Sequence, residues 1–219
     1  LTDVTGVQTC ALPISKNAAA YVKERSGWEK FKDRMNKIVD DWQHQQELDE
    51  AKEKFNEWWK TLDENGKKEY LTKLYEQIAK RWGMEVLPLN FSKLDGKGDL
   101  LGYYQDSYKV IELDLDDVNS RSGFNLISDL AHEARHQHQW QSVRYFEQTG
   151  NPPEGVSLQE VQGWKENLDN YIPADKNPIG YMFQKVEIDA RVEGTNFAND
   201  FMLETNGGGG FGGGGGGSY

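Results

Sequence analysis

Cysteine is all but missing from this chain. Its single copy, Cys10, falls inside the opening stretch LTDVTGVQTCALPIS, which reads as a translated sequencing adapter and is set aside before any argument about folding. Without a second cysteine there is no disulfide framework, and thiol catalysis is excluded with it. Positive charge is also scarce: 25 Lys and Arg stand against 36 Asp and Glu, a net charge of −11, with a pI near 4.9. That balance argues against nucleic acid and against anionic membrane surfaces as partners. No run of about 18 apolar residues occurs, so no segment is expected to span a bilayer as a helix. An initiator Met is lacking too, and the natural N-terminus is expected to lie upstream.

What remains is enough for one domain and an appendage. With 37% apolar residues and seven Trp among 219 residues, the middle of the chain can bury a core. Residues 16–65 read as a charged, helical N-terminal module, with one long helix over Trp28–Leu62 carrying Phe31, Met35, Ile38, Val39, Trp42, Phe55, Trp58 and Trp59. Asn65-Gly66 is expected to break it, and Tyr70, Leu71, Leu74, Tyr75 and Ile78 mark a second helix over Lys67–Arg81. The pattern then changes to strands. Glu85 to Phe91 alternates around Pro88, an edge-strand signature. Leu100–Gln105 and Tyr108–Leu115 flank Asp106-Ser107 as a hairpin. Asp114, Asp116, Asp117 and Asn119 lack the spacing and glycine of a calcium loop, and read as a solvated strand end. From Asn206 the tail NGGGGFGGGGGGSY cannot pack and is expected to be flexible.

The chemistry concentrates in His132-Glu133-Ala134-Arg135-His136, an HExxH pentapeptide. Phe124 to Ala131 holds no Pro or Gly and carries Leu126, Ile127 and Leu130 at helical spacing, which predicts a helix running to about Phe146. On it His132 and His136 lie one turn apart on one face, where both imidazoles can bind one metal ion. Glu133 sits beside them, placed to take a proton from the attacking water. Chance alone yields such a pattern in about one chain in a hundred of this length, and the helical context selects the metal site over coincidence. The face of Leu126, Ile127, Leu130 and Ala134 should meet the core. Asp129, His132, Glu133, His136, Trp140 and Val143 cluster on the other side, as on one wall of a cleft.

Two histidines leave a catalytic zinc one protein ligand short. Candidates downstream are His138, Glu187, Asp189, Glu193 and Asp200. Ser157 and Glu160 form a capping box for a helix to about Leu168, and Asn177-Pro178 starts a last helix to about Met202. On that last helix Gly180, Phe183, Glu187, Ala190, Gly194, Ala198 and Phe201 share a face. Glu187 is its one charged member, and a lone carboxylate there must be paired, coordinated or protonated. A metal ion supplies that partner; an ion pair with Arg135 or Arg191 is the competing explanation. His138 points away from the ligand face.

Together these residues resemble a zincin metallopeptidase of the gluzincin kind. The closer likeness is to small bacterial and phage-associated domains pairing HExRHxxQ with a later Tyr-containing helix bearing ExDA. Here the matching residues are His132 to Gln139, then Tyr181, Glu187, Asp189 and Ala190, with Gly102-Tyr103-Tyr104 ahead of them, over about residues 84–203. The resemblance implies an α+β zincin-like domain over 66–205, zinc (Zn2+) bound by His132, His136 and Glu187, and Glu133 as general base of a metallopeptidase. Some relatives are toxin effector domains and others belong to mobile elements. Where thermolysin-type members place an Asp four residues after the ligand Glu, this chain has Arg191, which leaves Asp129, Asp189 and Glu112 as candidates to hold the ligand histidines. Tyr171, Tyr181 and His138 are candidates to assist the oxyanion. A peptide or protein substrate is expected to add as a strand along Tyr108–Leu115, with Tyr108, Val110 and Glu112 in contact. The N-terminal helices offer a surface for an immunity or carrier partner. The alternative is a zinc-binding structural or interaction protein that does no chemistry.

Overall fold

The computed structural model describes residues 16–94 and 101–209, and for residues 16–26 the backbone alone. The adapter-like stretch and the end of the Gly-rich tail lie outside them. Helix α1 (Lys16–Lys60) is followed by α2 (Glu64–Arg81), strands β1 (Leu89–Ser92), β2 (Gly102–Gln105) and β3 (Val110–Asp114), then α3 (Leu115–Ser120), α4 (Gly123–Thr149), α5 (Leu158–Asp169), α6 (Pro178–Phe183) and α7 (Lys185–Thr205). The class is α+β, mostly helical with one small mixed sheet.

Two compact units divide the chain, residues 1–47 and 48–219. In the first, the described part is the N-terminal portion of α1, on which Trp28, Phe31, Met35, Ile38, Val39 and Trp42 are exposed. In the second, Leu48, Ala51, Phe55 and Trp59 are buried in one core with Tyr70, Leu71, Leu74, Ile78, Leu126, Ile127, Leu130 and Phe201. The compact unit thus starts at Leu48, inside the stretch read from the sequence as an N-terminal module over residues 16–65. The reason is packing: a Cβ on Gly123 would lie 2.6 Å from Phe55 and 2.7 Å from Trp59, so the start of α4 closes directly on these rings.

Local signals explain most element ends. Asp63, not Asn65-Gly66, divides α1 from α2: its carboxylate accepts the Gly66 N–H at 2.7 Å as an N-cap, so the Asn-Gly pair lies within the first turn. Asp114 caps α3 in the same way, and the acidic run expected as a strand end is a short helix. Ser157 and Glu160 complete both bonds of the capping box at α5.

The sheet order is β1-β3-β2, with β1 parallel and β2 antiparallel to β3. Ile111 and Leu113 turn into the core while Glu112 faces the other way, accepting hydrogen bonds from Ser92 and Tyr103. The hairpin turns through Lys109 at φ 51°. Because β3 is paired on both sides, it offers no free edge, and the expectation of a substrate strand along Tyr108, Val110 and Glu112 is overturned. Among the described residues no strand pairs with the outer edge of β2, which runs beside the HExxH helix.

The last helix is also divided. Gln184 is extended (ψ 150°) between α6 and α7. Its buried amide accepts from Ile172 N–H and donates to Ile172 O, both at 3.1 Å, and also accepts from Asn167. This long-range anchoring ends α6, so Phe183 is exposed and does not continue the apolar face of α7. Helix α7 packs along α4 more extensively than any other pair of elements meet. Small residues make the approach possible: a Cβ on Gly194 would lie 2.7 Å from the Ser128 carbonyl and 3.0 Å from the His132 nitrogen.

Candidate metal centre

Helix α4 buries Leu126, Ile127, Leu130 and Ala134 on the core side and turns His132, Glu133 and His136 the other way. Helix α7 brings Glu187 to them from its first turn. The His132 and His136 Nε2 atoms are 3.1 Å apart, and each lies 3.5 Å from a Glu187 oxygen. All three side chains can offer one ligand atom within 4.8 Å of the others. Donors around a tetrahedral zinc, at about 2.0–2.2 Å from the ion, stand roughly 3.3–3.6 Å from one another. The residues fit a divalent cation on a second count. Glu187 is 1% exposed, and its Oε2 has no hydrogen-bond partner among the described residues, a costly state for a buried carboxylate that a metal would relieve.

Of the competing ion pairs for Glu187, the one with Arg135 is absent and the one with Arg191 is long. Arg135 is committed to Asp189, and Arg191, 4.0 Å from Glu187 Oε2, donates to the Met182 carbonyl. Burial opposes the charge on Glu187, but the two histidines outweigh it and hold its carboxyl well below the usual range. Burial likewise opposes a charge on His136, yet the Glu187 carboxylate and then Glu133 push this imidazole up to about 9 in the metal-free chain.

Glu133 faces a cavity of about 650 Å³ that His136, Trp140, Tyr104, Tyr171 and Glu187 also line. One of its oxygens accepts the Tyr104 backbone N–H at 2.8 Å. In an antiparallel pair the edge strand turns alternate N–H groups away from its neighbour, and at Tyr104 that outward donor is taken by Glu133. The phenol of Tyr171 donates to Glu187 Oε1 at 2.9 Å and meets Tyr181 edge to face at 6.3 Å. Burial and then the Glu187 charge raise both phenols well above their ordinary range.

The remaining candidates are placed elsewhere. His138 lies between Trp82 and Trp164, with ring centroids at 6.2 and 5.9 Å. Burial and then Arg135 push it down to about 4, and it does not line the cavity. Asp129 pairs with Arg121; burial raises it to about 6 although Arg121 pulls the other way. Asp189 is taken by Arg135 and Gln139. The partner of a ligand histidine is instead Gln139, whose Oε1 is 2.9 Å from His136 Nδ1. The sequence reading included Gln139 as the last residue of the HExRHxxQ likeness but gave it no role, although its position three residues after His136 puts it on the same side of the helix.

Comparison with known proteins finds no matching family model, no similar curated protein and no similar solved structure. What is established is a His-His-Glu group able to hold a metal ion in an α+β unit.

Proposed function

We propose that the protein is a zinc-dependent metallopeptidase, carried by the convergence of His132, His136 and Glu187 beside a cavity that Glu133 also faces. The three ligands would hold the ion. A bound zinc supplies Lewis acidity and acidifies a water molecule to a pKa of about 7. Glu133 would accept a proton from the attacking water as its oxygen bonds to the carbonyl carbon, and would return it to the amine nitrogen as the C–N bond breaks. The hydrogen bond from Tyr104 N–H keeps the Glu133 carboxylate turned toward the cavity. Tyr171, whose single phenolic proton is given to Glu187 Oε1 in this structure, would turn it from that carboxylate to the developing oxyanion, with Tyr181 beside it. The substrate is a peptide lying extended along the outer edge of β2, pairing with backbone groups other than the Tyr104 N–H that Glu133 holds.

One observation favours a second reading, a zinc-binding protein without catalysis. The bond from Tyr104 to Glu133 ties β2 to α4 and would give Glu133 a structural use. The Glu133→Gln variant separates the two. Under the peptidase reading it binds zinc as the parent does and loses peptide hydrolysis by orders of magnitude, scored by mass spectrometry on a peptide library. A zinc-saturated parent that cleaves nothing in that library establishes the second reading.

A further inference from the structure

Gln139 is fully buried, and each of its polar ends has a partner. Its Nε2 donates to the Val186 carbonyl at 3.0 Å and to Asp189 Oδ2 at 2.7 Å. Asp189 is gripped in turn by Arg135, through Nε at 2.8 Å and Nη2 at 3.1 Å. The Arg135 guanidinium lies 5.0 Å above the Trp164 ring and 5.9 Å from that of Trp82.

The two ends of an amide are usually hard to tell apart, but not here. A backbone carbonyl and a carboxylate can only accept, so the end facing them must be the NH2 group. Turning the amide over would set its oxygen against both acceptors in a buried site, leaving several polar groups unpaired away from water. Oε1 must therefore face His136 Nδ1. An acceptor at that place requires a proton on Nδ1. The Nε2 atom is then left with its lone pair, directed at His132 and Glu187, the tautomer that a metal ligand must have.

We propose that Gln139 locks the tautomer of His136, and that Asp189 and Arg135 are positioning residues that hold Gln139 the right way round. This rests on the metal-centre reading above. Helix α7 then has two tasks two residues apart: Glu187 presents a ligand, and Asp189, about 200° further around the helix, fixes the support behind a ligand on α4. An isolated hydrogen-bonded pair would leave the amide free to turn. The bidentate Arg135 grip makes the orientation a property of the packed α4–α7 pair.

The test uses the full chain. In Gln139→Met, which keeps the shape and removes the hydrogen bonds, zinc affinity measured by chelator competition falls about 10–100-fold. Nitrogen NMR of the histidine rings reads the lock directly: in the parent His136 carries its proton on Nδ1, both zinc-loaded and, in alkaline buffer, metal-free. In the variant the neutral ring divides between its two tautomers. Asp189→Asn, at a half-buried position that tolerates change better, permits the amide to turn and gives the same redistribution with a smaller loss of affinity. A merely structural role would lower the unfolding temperature of both variants and leave the tautomer in place, which overturns the proposal. So does a parent His136 protonated on Nε2. If the parent binds no zinc, the metal centre fails, while the metal-free spectrum still decides the lock.

Discussion

Helix α1 carries two aromatic-rich stretches with opposite fates. Between Trp28 and Trp42 the large apolar side chains are exposed, 56% for Trp28 and 59% for Trp42, whereas Phe55 and Trp59 on the same helix are 0% and 1% exposed. Composition does not separate the two, since both are aliphatic and aromatic residues at helical spacing among charges. The later stretch meets a shaped surface. Gly123 has no side chain to keep Phe55 and Trp59 off α4, and Tyr70 closes against both rings at 5.9 Å. The amphipathic pattern therefore announces that a helix has something to cover, and the neighbouring small residues decide whether this chain does the covering.

The largest effect should come from moving the boundary. A chain starting at residue 48 should fold and bind zinc, while one starting at residue 66 loses Leu48, Ala51, Phe55 and Trp59 together. At about 2–5 kcal/mol for each large buried side chain, that loss reaches the whole stability of a typical domain, roughly 5–15 kcal/mol. Circular dichroism decides it, and a folded, zinc-binding chain from residue 66 would show that the core does not need α1.

Next is the single substitution Trp59→Ala, expected to cost about 3–5 kcal/mol in denaturant unfolding. A similar test on the α4–α7 seam is Gly194→Val. Its branched side chain has no room beside Ser128 and His132, and overpacking of this kind costs about 1–3 kcal/mol. Separation of the two helices should also abolish high-affinity zinc binding. Normal affinity in that variant would mean that Glu187 reaches the histidines without close packing.

Smaller in stability but sharp in function is Glu187→Ala. Zinc affinity, followed by titration, should fall more than for Asp189→Ala, whose effect is indirect and about 10–100-fold. The reverse order would reassign the ligand face of α7. The smallest change belongs to Trp28→Ala and Trp42→Ala, each within about 0.5 kcal/mol of the parent in unfolding of the isolated chain. A loss of several kcal/mol there would show that the exposed stretch is covered in solution.

Much of the site was legible because its information is local. HExxH spacing on one helix, the apolar stripe ending at Ala134, the capping box at Ser157 and Asn177-Pro178 are all relations within a few residues. Glu187 stood out as a charge among small and apolar neighbours, although two members assigned to that face, Gly180 and Phe183, belong to a separate helix. The break at Gln184 was not legible, since it depends on hydrogen bonds to Ile172 and Asn167 that form only when the chain folds back. Nor was the partner of His136. Gln139 stood in the HExRHxxQ likeness without a role, and its role here comes from acceptors on α7.

Sequence alone determined that this chain is acidic, rich in helix, without disulfides, and equipped with two histidines and a glutamate on one helix, because these are matters of composition and short period. Tertiary structure decided that β3 is the strand paired on both sides, where the compact unit begins, that Arg135 is held by Asp189 and not by Glu187, and which way the Gln139 amide must face. Each of these depends on a contact between segments distant in the chain, where shape and the direction of a donor, rather than residue type, select the partner.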